Sequence, residues 1–468
     1  MRQADRQHED DAGREASGGD GVRMEVREPS ATYLASARFQ ESEVGLIPLD
    51  WEAIALATRA AIQSGIAKNT NATLRDPISV PYLRVANVQD GYLDLGEVST
   101  IDIERTDLRR YAVLPGDVLM NEGGDLDKLG RGAIWNGQIR SCVHQNHVFV
   151  VRCGQGLIPE YLNAWTSSAQ ARRYFMLAGR QTTNLASINK TSLGELTVAI
   201  PPTEREQHEI AAALIDADAL IDSLEQLLTK KRRIKQGAMQ ELLTGKRRLS
   251  GFSTASSQGG ALPPSDWEAQ AIGDFAEVKT GPFGSALHER DYVQSGTPII
   301  TVEHLAERGI QGEGAPQVGE TDVMRLQAYK LEEGDIVFSR VGSIDRNARV
   351  SAAETGWLFS GRLLRLRLKS KEVDSQFLSY LFHGEPFRNQ VERVAVGQTM
   401  ASLNTKLLSG LEVVLPTAAE QKVIAESLAA MDANLAALEA RLTKARALKQ
   451  AMAQALLTGR IRLVAPTT

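Results

Sequence analysis

Residues 206–249 read EQHEIAAALIDADALIDSLEQLLTKKRRIKQGAMQELLTGKRRL, and residues 420–463 read EQKVIAESLAAMDANLAALEARLTKARALKQAMAQALLTGRIRL. About half of the positions are identical without a gap. Such a repeat has to be recognised first, because each copy is one unit of an architecture built twice. The match continues upstream through shorter landmarks in the same order. IPLDWEA, with Trp51, answers LPPSDWEA, with Trp267. YAVLPGDVLMNEGGDLDK, around Gly116 and Asp117, answers YKLEEGDIVFSRVGSIDR, around Gly334 and Asp335. SINKTSLGELTVAIP, ending at Pro201, answers SLNTKLLSGLEVVLP, ending at Pro416.

The two long copies read as helices. Ile424, Leu428, Met431, Leu435, Leu438, Leu442, Ala445, Met452 and Leu456 recur in steps of four and three, with Lys449 between Ala445 and Met452. Ile210, Leu214, Ala217, Ile221, Leu224 and Leu228 follow the same rule before Lys231 and Lys235 interrupt it ahead of Ala238 and Leu242. This is a heptad seam, too narrow to be stable alone, and the other helix of the chain is the partner it predicts. At about 1.5 Å per residue each helix would be roughly 58 Å long. Gly245 and Gly459, each after Leu-Leu-Thr, are placed to end the helices. Packed antiparallel, the two helices would act as a ruler between two globular units.

Composition bounds the class. The 468 residues are 43% hydrophobic and 24% charged, ordinary for a folded protein of at least two domains. No apolar run approaches the roughly 20 residues of a membrane span, and the polar, acidic start is unlike a signal peptide, so a cytoplasmic location is expected. Two cysteines, Cys142 and Cys153, make no disulfide framework. The net charge of −5 gives no global sign of nucleic-acid binding, but residues 1–30 hold eight acidic and five basic residues in a setting that reads as a disordered tail. The Gly/Ser/Pro-rich stretch 250–266 reads as a linker between the halves.

With SEVGLIPLDWEA opening the first unit, GDIVFSRVGSIDRN in the second, SLNTKLLSGLEVVLPTAAEQ leading into a helix and ALLTGRIRL closing it, the chain resembles the specificity subunits of type I restriction-modification systems over residues 43–463. The resemblance implies an α+β protein with two mixed α/β target-recognition domains, two long antiparallel coiled-coil-like helices and an internal pseudo-two-fold repeat. The expected segments are a tail at 1–42, recognition domains at 43–202 and 265–416, spacer helices at 203–249 and 417–463, and a linker at 250–264. Each domain would read one half of an interrupted double-stranded DNA target. Modification subunits, two of them, would carry S-adenosylmethionine and methylate adenines, and restriction subunits would use ATP and Mg to translocate and cut DNA; the chain itself would be no enzyme and bind no cofactor. The alternatives are a coiled-coil scaffold that does not read DNA, or a target-reading subunit of another restriction class.

Motifs for catalysis are missing or decoys. Gly245-Lys246 follows a helix instead of preceding one and lacks a phosphate loop's spacing, and no Asn/Asp-Pro-Pro-aromatic element of adenine methyltransferases occurs. Glu277-Val278-Lys279 with Asp266 and Asp274 has nuclease-like residue types, but the first unit has Ala61-Ile62-Gln63 at that place, so a strand is expected. Cys142, His144, His147 and Cys153 have zinc-ligand atoms at a spacing that fits no common site.

For DNA, Lys and Arg against phosphates supply affinity, and side chains at base edges supply specificity. The second unit offers Arg340, Ser343, Arg346 and Arg349 in a Gly-containing loop, and Arg365, Arg367 and Lys369 alternating with leucines along a strand, as DNA contacts or a solvated face. GQTMAS adds Gln398 and Thr399. The first unit offers Asn121, Lys128, Arg131 and Arg140, and in RQTTN Arg180, Gln181, Thr182 and Asn184, where Gln and Asn suit bidentate contacts to adenine. Glu122 stands opposite Arg340, so a phosphate contact expected at Arg340 does not carry over to the first unit. KKRR at 230–233 is expected on a solvated or partner-facing side of its helix.

Overall fold

The computed structural model describes residues 38–464 apart from 69–73, 125–128, 182–185, 253–262, 283–286, 345 and 396–401. Of the tail expected at 1–42, residues 1–37 lie outside the described residues, whereas Phe39–Ser42 form a strand antiparallel to Gly45–Pro48. The side-chain amide of Gln40 fixes this hairpin by donating to the carbonyl of Trp51 at 2.9 Å. Most of the expected linker, residues 253–262, also lies outside the described residues. No helix among the described residues is long and apolar enough to cross a membrane.

By its contacts the chain divides into two units, residues up to Asp218 with those from Ala447 onward, and Ala219–Arg446. The division therefore passes through both long helices, Glu204–Leu242 and Ala418–Leu457, instead of falling at their ends.

The first unit is built on a four-stranded antiparallel sheet in the order Ala60–Ser64, Val148–Cys153, Val118–Asn121, Gly132–Ile134. The second repeats that order with Ala276–Thr280, Leu363–Leu368, Ile336–Ser339, Asn347–Arg349. The central strands carry apolar side chains on both faces because both faces meet a core. In the first unit Val118, Met120, Phe149 and Val151 enter one core, while Leu119, Val148 and Val150 enter another. In the second, Ile336, Phe338, Leu364 and Leu366 enter one core, and Val337 and Leu363 another. Side chains that alternate across a strand produce this division. In each unit the strand before the long helix returns to pair with the strand after the buried tryptophan: Thr197–Ile200 with Glu52–Ala55, and Glu412–Leu415 with Glu268–Ala271.

The Gly-Asp landmarks are anchors of these sheets. Gly116 and Gly334 turn with φ of 90° and 89°, which a glycine adopts without a Cβ penalty. Asp117 then accepts the backbone N–H of Leu114 at 2.8 Å and a bidentate pair from Arg152, both at 2.7 Å. Asp335 accepts from Glu332 at 2.8 Å and from Arg367 at 2.8 and 2.7 Å. The Glu-Gln pair opening each repeat is a second anchor. Gln207 accepts from the backbone of Ile158, and Gln421 from that of Asp374, at 3.0 and 2.9 Å.

Within the second unit the helices pack along the expected seam, burying Ile221, Leu224 and Leu228 against Leu435 and Leu442. Full burial stabilises each such side chain by roughly 1.5–3 kcal/mol. Arg446 meets Glu225 at 2.6 Å, Arg232 meets Glu439 at 2.7 Å and Lys235 meets Asp432 at 2.8 Å, numbers rising on one helix as they fall on the other, so the packing is antiparallel. Lys235, an apparent break in the seam, is a buried member of it. In the first unit Ile210 and Leu214 share a core with Leu456 and Leu457, and Lys449 pairs with Asp218.

Both helices end as the glycines predict. Gly245 and Gly459 have φ of 71° and 66°, and the amides of Arg247 and Ile461 reach back to the carbonyls of Glu241 and Ala455 at 3.1 and 3.2 Å. Such a left-handed cap satisfies carbonyls that the helix leaves open. A Cβ on Gly245 would collide with the Pro264 ring, and one on Gly459 with the Pro48 ring. Beyond each cap one arginine turns inward. Arg248 donates to Glu420 at 2.9 Å and to Asp266 at 2.8 Å. Arg462 donates to Glu206 at 2.6 Å and to Asp50 at 3.0 Å.

Candidate nucleic-acid interface

In each unit two segments that are far apart in sequence are brought to one place. After the strand Val118–Asn121, residues Gly123–Gly124 pair with Ala186–Ser187, which pairs in turn with Arg180–Gln181. In the second unit Val341 bridges Ser402. The hydrogen bonds holding the segments together correspond one for one. Ile188 donates to the carbonyl of Glu122, and Leu403 to that of Arg340, both at 2.8 Å. The amide of Glu122 donates to His147 O at 3.0 Å, and that of Arg340 to Arg362 O at 2.8 Å. Glu122 and Arg340 are therefore structural equivalents, and so are His147 and Arg362.

The chemistry of the two places differs. In the first, the His147 ring nitrogen lies 3.0 Å from the Glu122 carboxylate, so an acid and an imidazole face each other where the second unit has two arginines. In the second, Ser343, Arg346 and Arg362 are exposed and Arg340 is half-buried. The loop is held in a turn by the Arg346 amide donating to Ser343 O at 3.1 Å, and the Ser339 amide donates to Arg346 O at 2.9 Å. Exposed guanidinium groups on a loop that backbone hydrogen bonds fix are suited to phosphate oxygens or to base edges. The sequence marks His147 only as a zinc-ligand type and does not mark Arg362, although aligning VFVVRC with LLRLRL puts them opposite each other.

Several expected contacts are otherwise engaged. Asn121 is buried, and its carboxamide donates to Val88 O at 2.9 Å, so it holds a neighbouring loop and is not available to DNA. Arg365 has a side chain only 4% exposed, lies 3.4 Å from Glu277 and stacks near Phe359. Burial, with Arg367 adding repulsion, lowers its pKa from the usual arginine value. Arg367 is committed to Asp335. The alternation of LLRLRL does put these charges on one face, where protein encloses Arg365, Arg367 is half-buried against Asp335, and Lys369 is exposed. Arg349 donates to the Ser375 hydroxyl at 2.9 Å and so points at the following helix. Arg131 is half-buried and Arg140 exposed. Arg180 and Gln181 supply the short strand described above, whereas Lys128, Thr182, Asn184, Gln398 and Thr399 lie outside the described residues. Lys230 to Arg233 are exposed, with Arg232 turned to Glu439.

The catalytic decoys separate into unrelated partners. Glu277 faces Arg365, Lys279 donates to Ala328 O at 3.1 Å, Asp266 holds Arg248, and Asp274 accepts the amide of Ala271. Cys142 and Cys153 are in strands or their edges with thiols pushed up to about 12 by burial, while His144 bonds Val148 O and His147 faces Glu122. Among the described residues no group of three or more His, Cys, Asp or Glu is placed to hold a metal ion.

Two α/β units with corresponding loop geometry, each including part of both long helices, make a duplicated architecture with one candidate site in each unit. Comparison with known proteins shows what the chain is similar to. Residues 264–446 match the family described as type I restriction modification DNA specificity domain. The chain is 25% identical over 434 residues to the putative type I restriction enzyme MjaX specificity subunit of Methanocaldococcus jannaschii, covering 92% of this chain and 98% of that one. It is 24% identical over 300 residues to the MjaVIII specificity subunit of the same organism, covering 63% of this chain and 69% of that one. Its fold is similar to the crystal structure of the type-I restriction-modification S subunit from M. genitalium, with a TM-score of 0.54 at 15% identity over 89% of this chain and 97% of that one. The resemblance carried by the repeat landmarks is the one these comparisons return.

Proposed function

We propose that this chain is the DNA specificity subunit of a type I restriction-modification assembly, a non-catalytic component that reads a bipartite duplex target. The observation that carries the reading is the pairing, in both units, of a loop after the Gly-Asp strand with the segment before the long helix, held by the same hydrogen bonds around Glu122 and Arg340. Each unit reads one half of the target, and the different chemistry of the two places gives the halves different sequences. Partner subunits carrying S-adenosylmethionine methylate adenines in the bound target, and others using ATP and Mg cut DNA.

Methylation mapping of the host genome with and without this gene tests the reading. Loss of methylation at one split motif is expected, and replacing residues 265–415 with those of a relative should change only one half of it. An unchanged methylation pattern in the strain lacking the gene would overturn the proposal and favour a scaffold that does not read DNA.

A further inference from the structure

The two units differ in what holds the hairpin beside the candidate loop. In the second unit a short hairpin, Leu305–Ala306 paired with Gly309–Ile310, packs on the strand Asn347–Arg349, which directly follows the loop of Arg340, Ser343 and Arg346. Its tip carries Glu307 and Arg308. Arg308 donates to both carboxylate oxygens of Glu439 on the second long helix, at 2.6 and 3.3 Å, and lies 3.4 Å from Asp432. Glu307 accepts from Lys235 of the first long helix at 3.0 Å. Lys235 and Asp432 are themselves paired across the seam, and the Tyr380 hydroxyl donates to Asp432 at 2.7 Å. The hairpin is thus tied ionically to both helices.

The first unit makes the corresponding hairpin differently. A 3-10 turn, Val85–Asn87, precedes it as Val302–His304 precedes the other, and Val88 bridges Leu93. Its acidic tip, Asp90, takes Arg172 at 2.8 Å and the Ser167 hydroxyl at 3.4 Å, both from the helical region that follows the sheet. Gly91 stands at the place of Arg308, QDGY in the first hairpin answering AERG in the second. The helix ion pairs Arg446–Glu225 and Lys449–Asp218 match Arg232–Glu439 and Lys235–Asp432, and among the described residues no hairpin charge joins the former two.

We propose that Arg308, supported by Glu307, is a positioning residue that locks the second unit's reading loop to the helix pair, and so fixes where the second half-site must lie relative to the spacer. This rests on the DNA-reading function above. A loop attached to its helices only by its own chain ends tolerates displacement of its half-site, whereas a loop tied to both helices through a bidentate arginine does not. The geometry of an arginine fork on a carboxylate is specific in direction as well as charge.

The test uses the full chain assembled with its modification subunits, with methylation measured on duplexes whose two halves are one base pair closer together or further apart than in the genomic motif. The wild-type assembly should strongly favour one spacing. Arg308→Glu should lower that preference about tenfold or more while the half-sites recognised stay the same. Glu307→Gln should act in the same direction, and Arg308→Lys should keep most of the preference. Thermal denaturation shows which variants fold, and Glu307→Gln keeps the test open if Arg308→Glu does not. Folded variants of Arg308 and Glu307 with undiminished spacing preference would overturn the proposal. A wild-type assembly that methylates no split motif would instead remove the underlying function.

Discussion

Arg462 and Glu206 are 256 residues apart in sequence and form an ion pair whose side chains are 3% and 1% exposed. Asp50 completes the cluster from the start of the same unit. The segment after the second long helix is thereby tied to the first strands of the first unit.

Removing Arg462 leaves a carboxylate buried without its partner. Breaking a buried pair by deleting one side costs about 3–5 kcal/mol. Arg462→Ala should therefore lower the chemical denaturation midpoint by a corresponding amount, and Arg462→Lys by less, because a point charge does not reproduce the two parallel hydrogen bonds. Equal midpoints for Arg462→Ala and wild type would show that Glu206 finds other compensation.

The helix stop is a separate requirement. Gly459→Ala places a Cβ both in a left-handed backbone and against the Pro48 ring. A strained conformation of this kind costs of order 1–3 kcal/mol before the collision is added. The loss should appear in thermal denaturation, and Gly245→Ala should show the same against Pro264.

The Gly-Asp anchor predicts a stability effect without a direct effect on DNA contacts. Asp335→Ala removes the acceptor of the Arg367 fork and of the Glu332 amide. Hydrogen bonds to charged groups contribute about 1.5–3 kcal/mol each. Urea titration should show a loss within that range or above it.

A pH effect is expected at His383. Burial first, with Lys235 and Arg388 adding repulsion, lowers its pKa to about 4 from 6.5 in the unfolded chain. The folded protein then binds fewer protons than the unfolded one between those values, so stability is complete above about pH 6.5 and falls as the pH drops toward 4. At about 1.4 kcal/mol per pH unit the full effect approaches about 3 kcal/mol. His383→Gln should flatten the denaturation midpoint over this window; an unaltered slope would assign the effect to other groups.

Arg346 and Arg365 should separate on DNA. Arg346 is exposed on the loop and Arg365 is enclosed. Arg346→Ala should weaken binding across sequences and reduce the slope of log affinity against log salt by about 1. Arg365→Ala should reduce stability and leave the salt slope of the remaining folded protein unchanged.

Much of the fold is legible in the sequence because helical repeats report their own periodicity. Ile221, Leu224 and Leu228 form the seam their spacing predicts, and Gly245 and Gly459 end their helices. Three things were not legible, each for a physical reason. Strand alternation says which side chains share a face and not what covers it, so Arg365 and Arg367 read as surface charges. A lysine in a seam reads as an interruption unless its acid is known, and Asp432 lies nearly two hundred positions from Lys235. Asn121, adjacent to a loop of glycines, reads as a contact residue, while its hydrogen bond to Val88 depends on a distant segment. The landmarks around Gly-Asp and Glu-Gln are visible as repeats, but their roles as acceptors for Arg152, Arg367 and four backbone amides depend on segments distant in sequence or on the turn geometry.

The helix ion pairs have a combinatorial consequence. Asp218, Glu225, Arg232 and Lys235 recur in the second helix at the matching positions Asp432, Glu439, Arg446 and Lys449, and each charge pairs with the opposite sign on the other copy. A segment of this kind is complementary to itself when reversed, as in an isologous contact between identical subunits. Duplicating it creates both halves of its interface in one event, with no second surface to be invented. After duplication, each copy is constrained by the charges of the other, so the helices can stay alike while the loops around Glu122 and Arg340 diverge.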